Sequence, residues 1–224
     1  SLIDGKCAYE YRKKLGIELA KEANINADLV VPVPDSGVPA ALGYAEQSKI
    51  KFELGLIRNH YVGRTFIEPT QNIRSLGVKL KLSSTKSIVN NKSIILIDDS
   101  LVRGTTCHKI VKMLYEAGAK EVHVRIACPE IKYPDFYGVD MPTKEELLAY
   151  KKTNQEMCNY IKAKSLKFLS LDGLYYALTN SKRNLNYPQF SDHYFTGDYP
   201  IKPSDNIKGL KVQQLSLLSG KSNN

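Results

Sequence analysis

The chain has 224 residues, 42% hydrophobic and 25% charged, which suits one folded domain with an appendage and excludes a disulfide-stapled miniprotein or a disordered chain. Its 32 Lys and Arg against 23 Asp and Glu leave a net charge of +9, which points to a polyanionic partner such as a nucleic acid, a phospholipid or a phosphorylated metabolite. No apolar run approaches the ~18 residues needed to span a bilayer. The first residues lack the apolar core of an export signal, and Cys7, Cys107, Cys128 and Cys158 show no CxxC spacing, so the expectation is a cytoplasmic protein with reduced thiols.

Ala8, Tyr11, Leu15 and Leu19 recur at helical spacing behind Asp4, which predicts an amphipathic helix over about 5–23 with Asp4 at its N-cap. ADLVVPVP (27–34) reads as a buried strand that stops at PDSG, and PAALGYAEQ follows as a helix with Pro39 close to its first turn. KFELGLI (51–57) reads as one strand. Residues 58–76 carry Arg58, His60, Arg64 and Arg74 against the single acid Glu68, with Gly63 and Pro69 as breakers. So long a stretch without regular structure predicts a functional loop. VKLKL (78–82) alternates like a half-buried strand, whereas SIILIDD (93–99) is apolar on both faces, as a central parallel strand is.

Gly104 then precedes TTCHKIVKMLYEAG, a helix closed by Gly118. EVHVRIAC (121–128) is the next strand; helices at about 143–163, a short strand in SLKFLSL and then DGLYYAL complete the pattern. This alternation predicts an α/β domain with a mostly parallel central sheet flanked by helices and with ligand loops along one sheet edge. Regular patterning stops near Leu178. The expectation is a domain over 1–178 and a packed C-terminal extension over 179–224 with a frayed polar end.

The central feature is ILIDDSLVRGTT (95–106), an apolar strand ending in Asp98 and Asp99 and turning through Ser100, Val102, Arg103 and Gly104 into a helix that opens with Thr105 and Thr106. Consecutive backbone N–H groups at such a helix start bind an anion, and the threonine hydroxyls add donors. The two carboxylates cannot favour that anion, so they suit sugar hydroxyls or a divalent cation on another part of the ligand. A ligand with a phosphate at one end and hydroxyls in its middle is a sugar phosphate.

The stretch resembles the 5-phosphoribosyl pyrophosphate (PRPP) motif of the type I phosphoribosyltransferases. VPVPDSGVPAALGYA (31–45), GLIRNHYVGRTFIEPTQ (55–71), GVKLKL (77–82), AGAKEVHVRIACPEIKYPDFYGVDMP (117–142) and FLSLDGL (168–174) narrow the resemblance to the amidophosphoribosyltransferases, over about residues 1–200. It implies a type I phosphoribosyltransferase fold and the displacement of pyrophosphate from PRPP by ammonia, giving 5-phosphoribosylamine at the first step of purine biosynthesis. It makes PDSG the pyrophosphate loop, with Asp35, Ser36 and Gly37 binding PRPP beside Asp98–Ser100 and Val102–Thr106. By the same resemblance Ser36, Asp98 and Asp99 would lie near Mg2+, and Arg58 and Tyr61 would belong to a flexible loop that closes over substrate. Purine nucleotide inhibitors and a homo-oligomer are implied too, with no nucleic-acid or membrane partner. The alternative is a PRPP-binding regulator without turnover.

Two departures from the resemblance carry expectations. Complete family members begin with a glutaminase domain whose first residue is a cysteine nucleophile. Here Ser1 comes first and Cys7 falls on the first helix, so this chain alone is expected not to hydrolyse glutamine. It would be a fragment, one subunit of a split enzyme, or a user of free ammonia. Some members also hold an iron–sulfur cluster, but Asp135, Pro188, Ser191 and Tyr194 stand where its cysteines would be, so no cluster is expected. His60 and His108 read as incidental.

Overall fold

The computed structural model describes residues 1–3, 5–59, 82–139, 143–186 and 188–201. Five parallel strands form the central sheet, in the order β4 (Lys51–Phe52), β3 (Leu29–Pro32), β7 (Ser93–Asp98), β8 (Glu121–Ile126), β9 (Ser165–Phe168). From β3 the chain crosses to β4 on one side and later returns to β7 on the other. The C-terminal ends of β3 and β7 therefore form a topological switch point, where open α/β sheets bind ligands.

Each sheet face has its own core. Ile94 and Leu96 of β7 pack with Val122, Val124 and Ile126 of β8 against α4 (Thr105–Glu116) and α6 (Asn154–Ile161). Ile95 and Ile97, on the opposite face of β7, pack against α1 (Ala8–Ala23) and α2 (Val38–Ser48). The same face of β8 carries Arg125, which is buried. Its Nε donates to the Ala23 carbonyl at 2.8 Å and the Tyr44 hydroxyl donates to the same oxygen at 2.9 Å, so a cation caps the C-terminal end of α1.

Three elements differ from the sequence reading. α1 starts at Ala8 rather than near residue 5, because β1 (Leu2–Ile3) and β2 (Lys6–Cys7) first form a hairpin. Cys7 thus precedes the helix and is its N-cap, and Asp4 lies outside the described residues. KFELGLI is two strands. After β4 the Gly55 N–H turns back to the Glu53 carbonyl, and β5 (Leu56–Arg58) pairs antiparallel with β6 (Leu82–Ser84). Of the strand expected at 78–82, only Leu82 is described. Residues 143–163 hold a 3-10 turn (Lys144–Glu146), α5 (Leu148–Lys151) and α6. The break comes from Thr153, whose hydroxyl accepts the Glu156 N–H while the Glu156 carboxylate accepts the Thr153 N–H, so that a new helix nucleates there. A short α3 (Lys86–Val89) leads into β7, and α7 (Leu171–Thr179) and α8 (His193–Thr196) follow β9. Among the described residues no helix is long and apolar enough to cross a membrane.

Candidate active site

Two loops meet at the switch point. The chain leaves β3 through Val33, whose N–H still reaches the Ile97 carbonyl of β7 at 2.8 Å. It then passes a cis Pro34–Asp35 peptide and Ser36 to Gly37, the N-cap of α2. From the neighbouring β7 come Asp98 and Asp99. The Asp98 carboxylate accepts the Asp99 N–H at 2.9 Å, and the Ser100 hydroxyl donates to Asp99 at 3.0 Å. Gly104 then turns the chain with φ +75° and serves as N-cap of α4, leaving Thr105 and Thr106 exposed at the helix start. A Cβ on Gly104 would fall 2.6 Å from Leu148 Cδ2.

The carboxylates at this edge are unlike one another. Burial, and then the Asp99 carboxylate beside it, push the Asp98 carboxyl up to about 8, so a cation near it would restore its charge. Burial followed by Asp98 raises the Cys107 thiol, and burial followed by Asp99 and Asp98 raises that of Cys128, so both stay protonated. Hard oxygen donors suit Mg2+. Among the described residues no cluster of three or more His, Cys, Asp or Glu could cage a metal.

The expected residues from both loops lie on this edge, but not all face it. Arg58, at the end of β5, reaches back so that its guanidinium donates to Asp35 at 2.6 Å. The Arg103 side chain instead pairs with Glu146 at 2.9 Å. His108 hydrogen-bonds the Tyr160 carbonyl at 2.9 Å. Tyr61, His60 and nearly all of the predicted 58–76 loop lie outside the described residues.

Sequence reasoning missed Arg12. Its guanidinium donates to the Ser36 carbonyl at 3.3 Å and lies 4.0 Å from Asp99. A cavity of about 350 Å3 opens between Arg12, Ser36, Asp99 and Ser100 on one side and Ile131, Val139, Tyr194 and Phe195 on the other. The second wall belongs in part to the C-terminal extension, which a polar network fastens there. The Asp135 side chain is 1% exposed and accepts the Tyr137 and Val139 N–H groups at 2.8 Å each. An ionised carboxylate only accepts, so His193 Nε2 carries the proton that bonds it at 2.8 Å, and Ser191 bonds the other ring nitrogen at 3.0 Å. Beside them Arg183 holds Asp192 at 2.6 Å and Asp198 at 2.8 Å, and the Tyr175 hydroxyl donates to Asp192 at 2.7 Å. Asp135 and Ser191, two of the positions where the resemblance looks for cluster thiolates, thus carry hydrogen-bonding groups.

The family model described as the phosphoribosyl transferase domain matches residues 9–137, which include both loops of the switch point. The chain belongs to the phosphoribosyltransferase family. Its fold is that family's type I fold. It is 55% identical to an amidophosphoribosyltransferase of Rhizobium etli over 220 residues, 98% of this chain and 44% of the relative. It is 50% identical to that of Staphylococcus aureus over 89% of this chain and 40% of the relative. The solved structure of the glutamine PRPP amidotransferase from B. subtilis complexed with ADP and GMP superposes with a TM-score of 0.80 at 48% identity, covering 89% of this chain and 44% of that one. A structure described as the allosteric regulatory enzyme of purine biosynthesis gives 0.79 at 45% identity, over 92% and 44%. This phosphoribosyltransferase chain therefore spans less than half the length of these relatives.

Proposed function

We propose that the chain transfers the phosphoribosyl group of PRPP to ammonia, releasing pyrophosphate and forming 5-phosphoribosylamine, the first step of purine biosynthesis. The observation that carries this reading is the meeting of PDSG, after β3, with DDSLVRGTT, after β7, at one switch point. The N-terminal end of α4 with Thr105 and Thr106 takes the 5-phosphate. The Ser36 loop takes the diphosphate, and Asp98 and Asp99 take the ribose hydroxyls between them. Positive charge that develops on the sugar ring as the C–O bond breaks lies beside these two carboxylates. Ammonia is already a nucleophile, so the site needs to orient the ring and exclude water rather than supply a strong base. Ser36, Asp98 and Asp99 would hold Mg2+, which when bound neutralises charge on the leaving diphosphate.

Delivery of ammonia from glutamine is assigned to the part of the relatives that this chain does not span. Purine nucleotides such as the ADP and GMP of the B. subtilis structure are proposed as inhibitors. The test is pyrophosphate release from PRPP by the purified chain with Mg2+ and ammonium chloride, with glutamine in a parallel reaction. Ammonium-dependent release supports the reading. PRPP that binds but is not consumed would favour a regulator, and an absence of binding would remove both.

A further inference from the structure

We infer that Arg12, on α1, is a ligand of the diphosphate group of the sugar substrate, an inference that rests on the phosphoribosyl-transfer reading above. The Arg12 side chain is 49% exposed and borders the cavity between the two loops. Of the five N–H donors of a guanidinium, the described residues engage one, through the Ser36 carbonyl at 3.3 Å. The Asp99 carboxylate, at 4.0 Å, is too far for a hydrogen bond.

On the other flank of the same loop Arg58 leans on Asp35, and that pair is exposed too, at 39% and 56%. The PDSG loop thus lies between two guanidiniums, each resting on a weak partner. Solvent-exposed contacts of this kind contribute little to stability. A diphosphate offers better acceptors, because a guanidinium fork matches paired phosphate oxygens.

The placement of Arg12 is enforced from below. Gly16 lies one helical turn further along α1, and a Cβ there would fall 1.8 Å from the Ala40 carbonyl oxygen of α2. The two helices therefore touch through backbone just beyond the PDSG loop, which sets Arg12 over Ser36.

The test is calorimetric titration of wild type, Arg12→Ala and Arg12→Lys with inorganic pyrophosphate and, separately, with ribose 5-phosphate, both with Mg2+. Arg12→Ala is expected to weaken pyrophosphate about tenfold or more while ribose 5-phosphate stays within about twofold. Arg12→Lys, which keeps the charge and loses the fork, falls between. Unchanged pyrophosphate affinity in Arg12→Ala, with a wild type that binds both ligands, overturns the inference and leaves the transfer reading standing. Equal weakening of both ligands also overturns it, since that marks a disturbed site rather than a lost diphosphate contact. A wild type that binds neither ligand overturns the transfer reading and the inference with it.

Discussion

At the scale of single residues, Asp98 and Asp99 are neighbours in sequence with different surroundings. Asp98 sits at the end of a buried strand and is pushed towards its neutral form by burial and by Asp99. Asp99 is 37% exposed and borders the cavity. Asp99→Asn keeps size and hydrogen-bonding shape but removes charge where the proposed reaction develops positive charge. It is expected to lower ammonia-dependent turnover more than about tenfold, with PRPP binding largely kept. Steady-state kinetics beside direct titration read this, and unchanged kinetics would remove Asp99 from the mechanism. Gly104→Ala acts through the backbone instead. At φ +75° an added Cβ costs about 1–2 kcal/mol, and contact with Leu148 adds to that. Urea unfolding should show the loss, and ribose 5-phosphate affinity should fall with it because the same turn is the proposed phosphate site.

Between elements, the crossing of α1 over α2 places Arg12 beside the PDSG loop. Gly16→Ala forces a Cβ into the Ala40 carbonyl, and side-chain motion cannot relieve a clash with backbone. The helices must separate, at a cost of about 1–3 kcal/mol. Pyrophosphate affinity is expected to fall in the same variant, although residue 16 touches no ligand. Much at this scale was legible beforehand. β7 announced itself because residues 94–97 are apolar on both faces, which only a strand covered on both sides needs. β5 did not, because the strand-like pattern of 51–57 carries straight through the Gly55 turn, and composition alone does not show where pairing changes partner. The Arg12 contact was invisible for a related reason. Ser36 lies 24 residues away, and helical spacing gives the period of a face without saying which loop that face meets. Asp135 was legible only as the place of a missing thiolate and His193 not at all; their partnership across 58 residues follows from the fold.

For the molecule as a whole, the fastening of the C-terminal extension carries a pH dependence. Burial opposes ionisation of Asp135, but the Val139 and Tyr137 N–H groups, with His193 and Tyr194, outweigh it and hold its carboxyl down to about 2. A depressed carboxyl contributes stability that is whole above its ordinary value near 4 and is lost as pH falls towards 2. Acid is therefore expected to loosen residues 183–201 from the segment around Asp135 before the central sheet unfolds, with the cavity wall of Tyr194 and Phe195 going first. Hydrogen exchange at pH 7 and pH 3 would show it, and Asp135→Asn should flatten the difference. Equal protection of the extension at both pH values would count against this account.

The pairing of β3 with β7 has a consequence in time. Asp28 and Ser93, 65 residues apart, are tied twice where these strands begin, through the Asp28 N–H to the Ser93 carbonyl at 2.9 Å and the Ser93 N–H to the Asp28 carboxylate at 2.8 Å. Both halves of the proposed substrate site hang from this long-range closure, which is slow to form because chain entropy is spent before the contact rewards it. The site should therefore be absent from any species in which β3 and β7 have not yet met. Ribose 5-phosphate is expected to slow unfolding and leave the refolding rate nearly unchanged, a pattern that stopped-flow measurements with and without the ligand would reveal.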